Sequence, residues 1–151
     1  YDGAKLTDAQ KDLRSYYGRL LKLCAEPAFA RGDFYGLNHA NKDNEQYGRV
    51  GGETVSGHWL YCFLRRDPKT GQTFLVIANI HPTEKLNNVS IKIPGNAFDW
   101  MGGKLSSGAK LTFIDRLGSK LTLEATRDEI TSKGLVIKRF PAKTAVYLEL
   151  K

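Results

Sequence analysis

The chain has 151 residues, a formal net charge of +7, and a composition that is 41% hydrophobic and 26% charged. That length lets one domain bury a core without metal or disulfide staples, and nowhere does it hold the ~18 or more consecutive apolar residues of a membrane span. The excess positive charge lies entirely beyond residue 48, yet its longest runs are only Arg65-Arg66 and Lys138-Arg139. A nucleic-acid surface clusters such charge or interleaves it with stacking aromatics. Here it is scattered over strands and turns, as on a solvated β surface, so neither nucleic acid nor membrane is expected as a partner. The chain opens at Tyr1 rather than Met, which suggests a piece of something longer.

Leu6 to Cys24 carries the clearest helical period. Thr7 is placed to cap it, with Gln10 three residues on completing a capping box, and Asp8 falls in the first turn where the helix dipole favours an anion. Leu13, Tyr16, Tyr17, Leu20, Leu21 and Cys24 form one apolar stripe at helical spacing. Pro27 is expected to stop the helix.

After Pro27 the period changes. Asp33 to Leu37 reads as a short strand, and 38–57 as a long polar loop with Gly48, Gly51, Gly52 and Gly57; loops of that length are uncommon in compact domains and often functional. His58–Arg65 and Gln72–Ile80 flank the turn Asp67-Pro68-Lys69-Thr70-Gly71, the strongest hairpin signal in the chain. Both strands are apolar on both faces, with Trp59, Tyr61 and Phe63 on one side of the first, so both are expected to be central and covered. Shorter strands follow at Val89–Ile93, Leu111–Ile114, Lys120–Glu124, Leu135–Arg139 and Ala145–Leu150. Turns at 94–96, 106–108, 117–119, 132–134 and Pro141 separate them, and Ala97–Met101 makes one helical turn. Evenly spaced short strands predict an antiparallel β-sandwich. The expected architecture is mainly β, with about seven or eight strands in a Greek-key sandwich preceded by one amphipathic helix. The division is 1–31 helical and 32–151 β.

Several runs carry a family likeness. Leu13-Arg14-Ser15-Tyr16-Tyr17-Gly18-Arg19-Leu20-Leu21-Lys22-Leu23 leads into Glu26-Pro27-Ala28-Phe29 and Gly32-Asp33-Phe34. This resembles the junction between the last barrel helix and the C-terminal domain of alpha-amylase-family glycoside hydrolases. Trp59 to Arg66, Phe74 to His81 and Phe140 to Leu148 are similar to that domain's hairpin and closing strand. The resemblance implies a non-catalytic Greek-key domain that supports a catalytic barrel in cis, with any activity on α-glucans belonging to the parent enzyme. The family's catalytic motifs have no counterpart in this chain, so no catalytic residue is carried over.

The residues themselves supply no catalytic, metal or cofactor set. Asp128-Glu129 are adjacent on an expected turn, whereas glycoside hydrolysis needs carboxylates opposed across ~5–9.5 Å. Cys62 and His81 carry no sign of an activated thiol. Asp43-Asn44-Glu45 lacks the spacing of a calcium loop, the histidines and cysteines show no zinc spacing, and Cys24 and Cys62 form no disulfide framework. Asn88-Val89-Ser90 is a glycosylation triplet without a supporting context. Carbohydrate contact, the alternative function of a free-standing glucan-binding module, would fall on exposed aromatics. Trp100, beside Gly102-Gly103, and Tyr47, in the long loop, are the candidates. The helix's apolar stripe is too large to leave open on a monomer, so it is expected to cover a sheet face, with a homodimer through the helix as a supplement.

Overall fold

The computed structural model describes residues 5–103 and 108–151. Ser106 and Ser107 of the turn expected at 106–108 lie outside the described residues. Helix α1, Asp8–Cys24, begins at the Thr7 capping box, where Thr7 Oγ1 accepts from Gln10 N and Gln10 Oε1 accepts from Thr7 N. Helix α1 ends before Pro27, as expected, and Pro27 also opens a second short helix, α2, Pro27–Ala30, at the first helical position, where its missing N–H is not needed. The chain then enters β1, Asp33–Gly36, followed by a 3-10 turn at His39–Asn41.

The remaining elements are β2 (Leu60–Arg66), β3 (Thr73–Asn79), β4 (Leu86–Ile91), α3 (Gly95–Trp100), β5 (Lys110–Asp115), β6 (Thr122–Thr126), α4 (Arg127–Ser132), β7 (Leu135–Phe140) and β8 (Thr144–Leu150). They form a six-stranded sheet ordered β1-β2-β3-β8-β5-β6 and a two-stranded sheet β4-β7. Every pairing is antiparallel. The pairs β3–β8, β4–β7 and β5–β6 are nested, as in a long hairpin folded over on itself. The order within neither sheet by itself displays the 4-1-2-3 arrangement of a Greek key.

The core lies between the sheets. Leu60, Cys62 and Leu64 of β2, with Leu75 and Ile77 of β3, meet Val89, Ile91, Leu135, Ile137 and Phe140 of the small sheet. The fourth strand lies earlier than its apolar period suggests, because Asn88 adopts a left-handed φ of 51°. That kink lets Leu86 and Val89, three residues apart, both face inward. Helix α4 replaces the turn expected at Asp128-Glu129. Thr126 caps it and Glu129 returns the bond to Thr126 N, but six residues are too short to display a helical period.

The long loop is tied down by asparagine side chains. Asn41 is fully buried; its Nδ2 donates to the carbonyls of Leu37 and Lys92, while its Oδ1 accepts from Lys92 N. Asn38 Oδ1 accepts from Cys62 N, and its Nδ2 donates to Leu60 O. Side chains here supply the pairing that strands supply elsewhere, which is why the segment shows no strand period.

Helix α1 does not cover the sheet along its length. Only its last turns pack, with Leu20 and Leu23 against Ala28, Phe74 and Leu117. The expectation that the whole stripe lies on the β-domain is therefore overturned. A second, polar set of contacts holds the helix at this one end, and the rest of it projects.

Candidate functional site: an open apolar face

The projection of α1 leaves large apolar side chains in water. Leu13 is 56% exposed, Tyr17 54% and Leu21 69%, and their i, i+4, i+8 spacing puts them on one line. Cys24, also exposed, extends that line to a cleft of about 390 Å³ lined by Cys24, Phe29, Phe34, Tyr61, Phe63 and Arg65. Phe34 and Tyr61 in that cleft are 50% and 47% exposed. Stripe and cleft thus form one continuous apolar surface, of a kind a monomer normally keeps small.

The sheet contributes its outer face. Phe34 opposes Arg65, and Tyr61 opposes Ala78; directly opposed residues share a face. Phe34 and Phe63 lie 5.2 Å apart between ring centroids, and Tyr61 and Phe63 5.4 Å. The sequence expects Tyr61 to be covered because its strand is apolar on both sides. The inner side is covered and this outer part is not, so Tyr61 and Phe34 become surface residues. Only the cross-strand register brings Phe34 to Tyr61 and Phe63, and no local pattern encodes that register.

The α1–α2 elbow is fixed to the sheet by charge-assisted bonds. Arg65 donates through Nε to Ala28 O at 3.1 Å and through Nη2 to Phe29 O at 3.2 Å. Arg31 reaches Asp67 with both nitrogens, at 3.4 and 3.0 Å. The Thr70 hydroxyl and then Arg31 hold the Asp67 carboxyl down at about 2. Gln72 Nε2 donates to Glu26 at 2.8 Å and to Glu149 at 3.1 Å, and Arg116 bridges the same two carboxylates. Arg19 Nε closes the set on Leu117 O at 3.0 Å. Helix α1 is therefore an arm on a braced joint, and the open face keeps a defined shape.

The two aromatic candidates separate. Tyr47 is fully buried, its hydroxyl donating to Asn38 Oδ1 at 2.9 Å and its phenol pushed up by burial. It presents no ring face to a ligand; it locks the loop. Trp100 is half-buried at the end of α3, packed against the core and 5.5 Å from the Tyr35 ring. Trp59 precedes β2 rather than lying in it, stacked on His58 at 4.4 Å with its Nε1 donating to Glu53.

The remaining candidates of the sequence stay apart from chemistry. Burial pushes the Cys62 thiol up to about 12, and His81 spends Nδ1 on the N–H groups of Thr83 and Glu84. Glu129 serves as a helix cap beside solvated Asp128. Among the described residues no group of three or more His, Cys, Asp or Glu side chains could hold a metal ion, no helix is long and apolar enough to cross a membrane, and Cys24 and Cys62 are free.

Fold and surface together define a small antiparallel β-domain with a braced helical arm and one open apolar face. No protein-family model matches the chain, and no curated protein matches it significantly.

Proposed function

We propose that the chain is a non-catalytic accessory domain whose open face packs against a catalytic barrel of the alpha-amylase family, which it supports. The observation that carries this reading is the continuous surface from Leu13 through Leu21 and Cys24 to Phe34 and Tyr61, exposed yet rigidly mounted. A helix that needed only its own domain would bury its apolar stripe there. The likeness of the Leu13–Leu23 and Glu26–Phe34 runs to the barrel junction of that family names the body that would cover it. Seating the face would remove several large aromatic and aliphatic side chains from water, each contributing about 1.5–3 kcal/mol when fully buried.

The test has two parts. The coding region flanking this chain should specify a barrel with two opposed carboxylates. That barrel, expressed separately, should co-purify with the chain and lose the association when Leu13 and Leu21 are both changed to Ser. A flanking region without such a barrel, or association indifferent to the double change, would sink the reading.

A further inference from the structure

The sheet edges are finished differently on the two flanks of the sandwich. On one flank the long loop occupies the outer edge of β4: Ser90 N donates to Gln46 O at 2.9 Å, and Ser90 O accepts from Asn44 Nδ2 at 2.9 Å. On the other, β6 ends the large sheet and β7 belongs to the small one, and neither has a second neighbour in its sheet. Helix α4 joins the two strands at one end. A cleft of about 270 Å³ lies along them, its lining including Leu123, Glu124 and Ala125 of β6 and Leu135 and Val136 of β7.

The register fixes which backbone groups these edges offer. In an antiparallel ladder two opposed residues either exchange both hydrogen bonds or turn both groups away from each other. Thr112 of β5 gives its carbonyl to Lys151 N, at the end of β8, at 2.9 Å. It therefore faces β8, and Glu124, its opposite on β6, turns its N–H and C=O outward. Thr126, two residues on, presents its N–H the same way, and Glu129 Oε2 takes it at 2.8 Å. By the same argument the loop bonds of Ser90 turn its opposite on β7, Val136, outward. The next outward residue of β7 is the exposed Lys138, and lysine on an edge strand discourages further pairing. Strand β6 holds no lysine, and its outward groups at Thr122 and Glu124 lie beside part-buried Leu123 and Ala125.

The chemistry of this edge discriminates among occupants. A row of outward donors and acceptors at strand spacing is matched by an extended polypeptide backbone. A second copy of β6 is a poor match: paired over its whole length, it would set Glu124, the central residue, opposite Glu124, and like charges directly opposed are unfavourable. Glu124 meets Lys110 at 2.6 Å on its β5 side, which leaves its other side to the incoming strand, and charge complementarity asks for a cation there. We propose that β6 is a docking edge for an extended peptide of another protein. The peptide adds one antiparallel strand to the six-stranded sheet, places a lysine or arginine opposite Glu124, and sets the aliphatic residues on either side of it into the cleft, opposite Leu123 and Ala125. The edge shares no residue with the open face from Leu13 to Tyr61, so it stands or falls separately from the accessory role.

The test is titration of the isotope-labelled chain, followed by NMR, with a short synthetic peptide in which valine alternates with threonine and a central lysine. Saturable shifts at the Thr122–Thr126 amides should appear by about 5 mM, a concentration that fills a millimolar site, and hydrogen exchange of the Glu124 N–H should slow as the peptide saturates. The same peptide N-methylated along the edge that meets β6 should lose binding, since it keeps the side chains and loses the backbone donors. Glu124→Lys, a change at an exposed position, should weaken the lysine peptide roughly fivefold and favour its glutamate counterpart by a similar factor; the variant's spectrum reports whether the fold persists. Absence of saturable shifts at β6, or binding that survives N-methylation, would overturn the proposal. So would protection of the Glu124 N–H that grows with protein concentration in the absence of peptide, since that result assigns the edge to a second copy.

Discussion

Asp115 is the residue on which the closing of the large sheet most depends. It ends β5, is almost fully buried, and accepts four hydrogen bonds. Oδ1 takes the backbone N–H of Tyr147 on β8 at 2.9 Å. Oδ2 takes Gly118 N at 2.8 Å, Ser119 N at 2.6 Å and the Ser119 hydroxyl at 2.9 Å. In Asp115→Ala the loop donors of Gly118 and Ser119 return to water, because their residues are exposed, and cost about 0.5–1 kcal/mol each. The Tyr147 N–H, inside the sheet, finds no substitute, and an unsatisfied buried donor costs about 1–3 kcal/mol. Over the three loop bonds and the Tyr147 N–H the sum is about 2.5–6 kcal/mol, which at this chain length lowers Tm by roughly 5–25 °C.

Protonation adds a second signature at the same residue. Burial alone would push the Asp115 carboxyl up, but the N–H groups of Tyr147 and Ser119, the Ser119 hydroxyl and Gly118 N–H together bring it below the usual carboxylate range. A folded-state value below the unfolded one means stabilisation that is present above pH ~4 and lost as pH falls through the folded value. Urea denaturation at several pH values should therefore show wild-type stability declining on acidification, with a shallower decline in Asp115→Asn. An Asp115→Ala loss below about 0.5 kcal/mol, the range of an ordinary surface change, would refute the reasoning. An unchanged acid slope in Asp115→Asn would refute it equally.

Four other outcomes are expected. Gly134→Ala should destabilise by more than about 2 kcal/mol in equilibrium unfolding, since its Cβ would stand 2.3 Å from Ser90 Oγ and 2.9 Å from Ile91 C, at a φ of +88°. Thiol labelling under native conditions should modify Cys24 and spare Cys62, which is fully buried with its thiol raised to about 12; both should react once the chain is unfolded. The pair Leu13→Ser with Leu21→Ser should change thermal stability by less than about 0.5 kcal/mol, because both side chains are in water. Sedimentation of the isolated wild-type chain at high concentration should show self-association through the open stripe that this double variant lacks.

Local chemistry was legible wherever neighbours in sequence are neighbours in space. The Thr7–Gln10 capping box and the central hairpin around Asp67-Pro68 are within-segment features, and they stand where their residues put them. The second capping box, Thr126 with Glu129, carried the same signal, but a six-residue helix offers no period to support it. The stripe of α1 was equally plain; its environment was not. Which apolar surfaces meet depends on pairings distant in the chain: Phe34 with Arg65, β3 with β8, Arg65 with the carbonyls of α2. Apolar character says that a side chain gains by leaving water, without saying which surface receives it. Thus Tyr47, polar in its setting and placed in a glycine-bearing loop, is sealed in the core, while Tyr61, in a strand apolar on both faces, stands open. The sequence by itself determined the first helix, the central hairpin and the mainly β class; only the tertiary structure decided which face they leave uncovered, because that follows from register and packing across the whole chain.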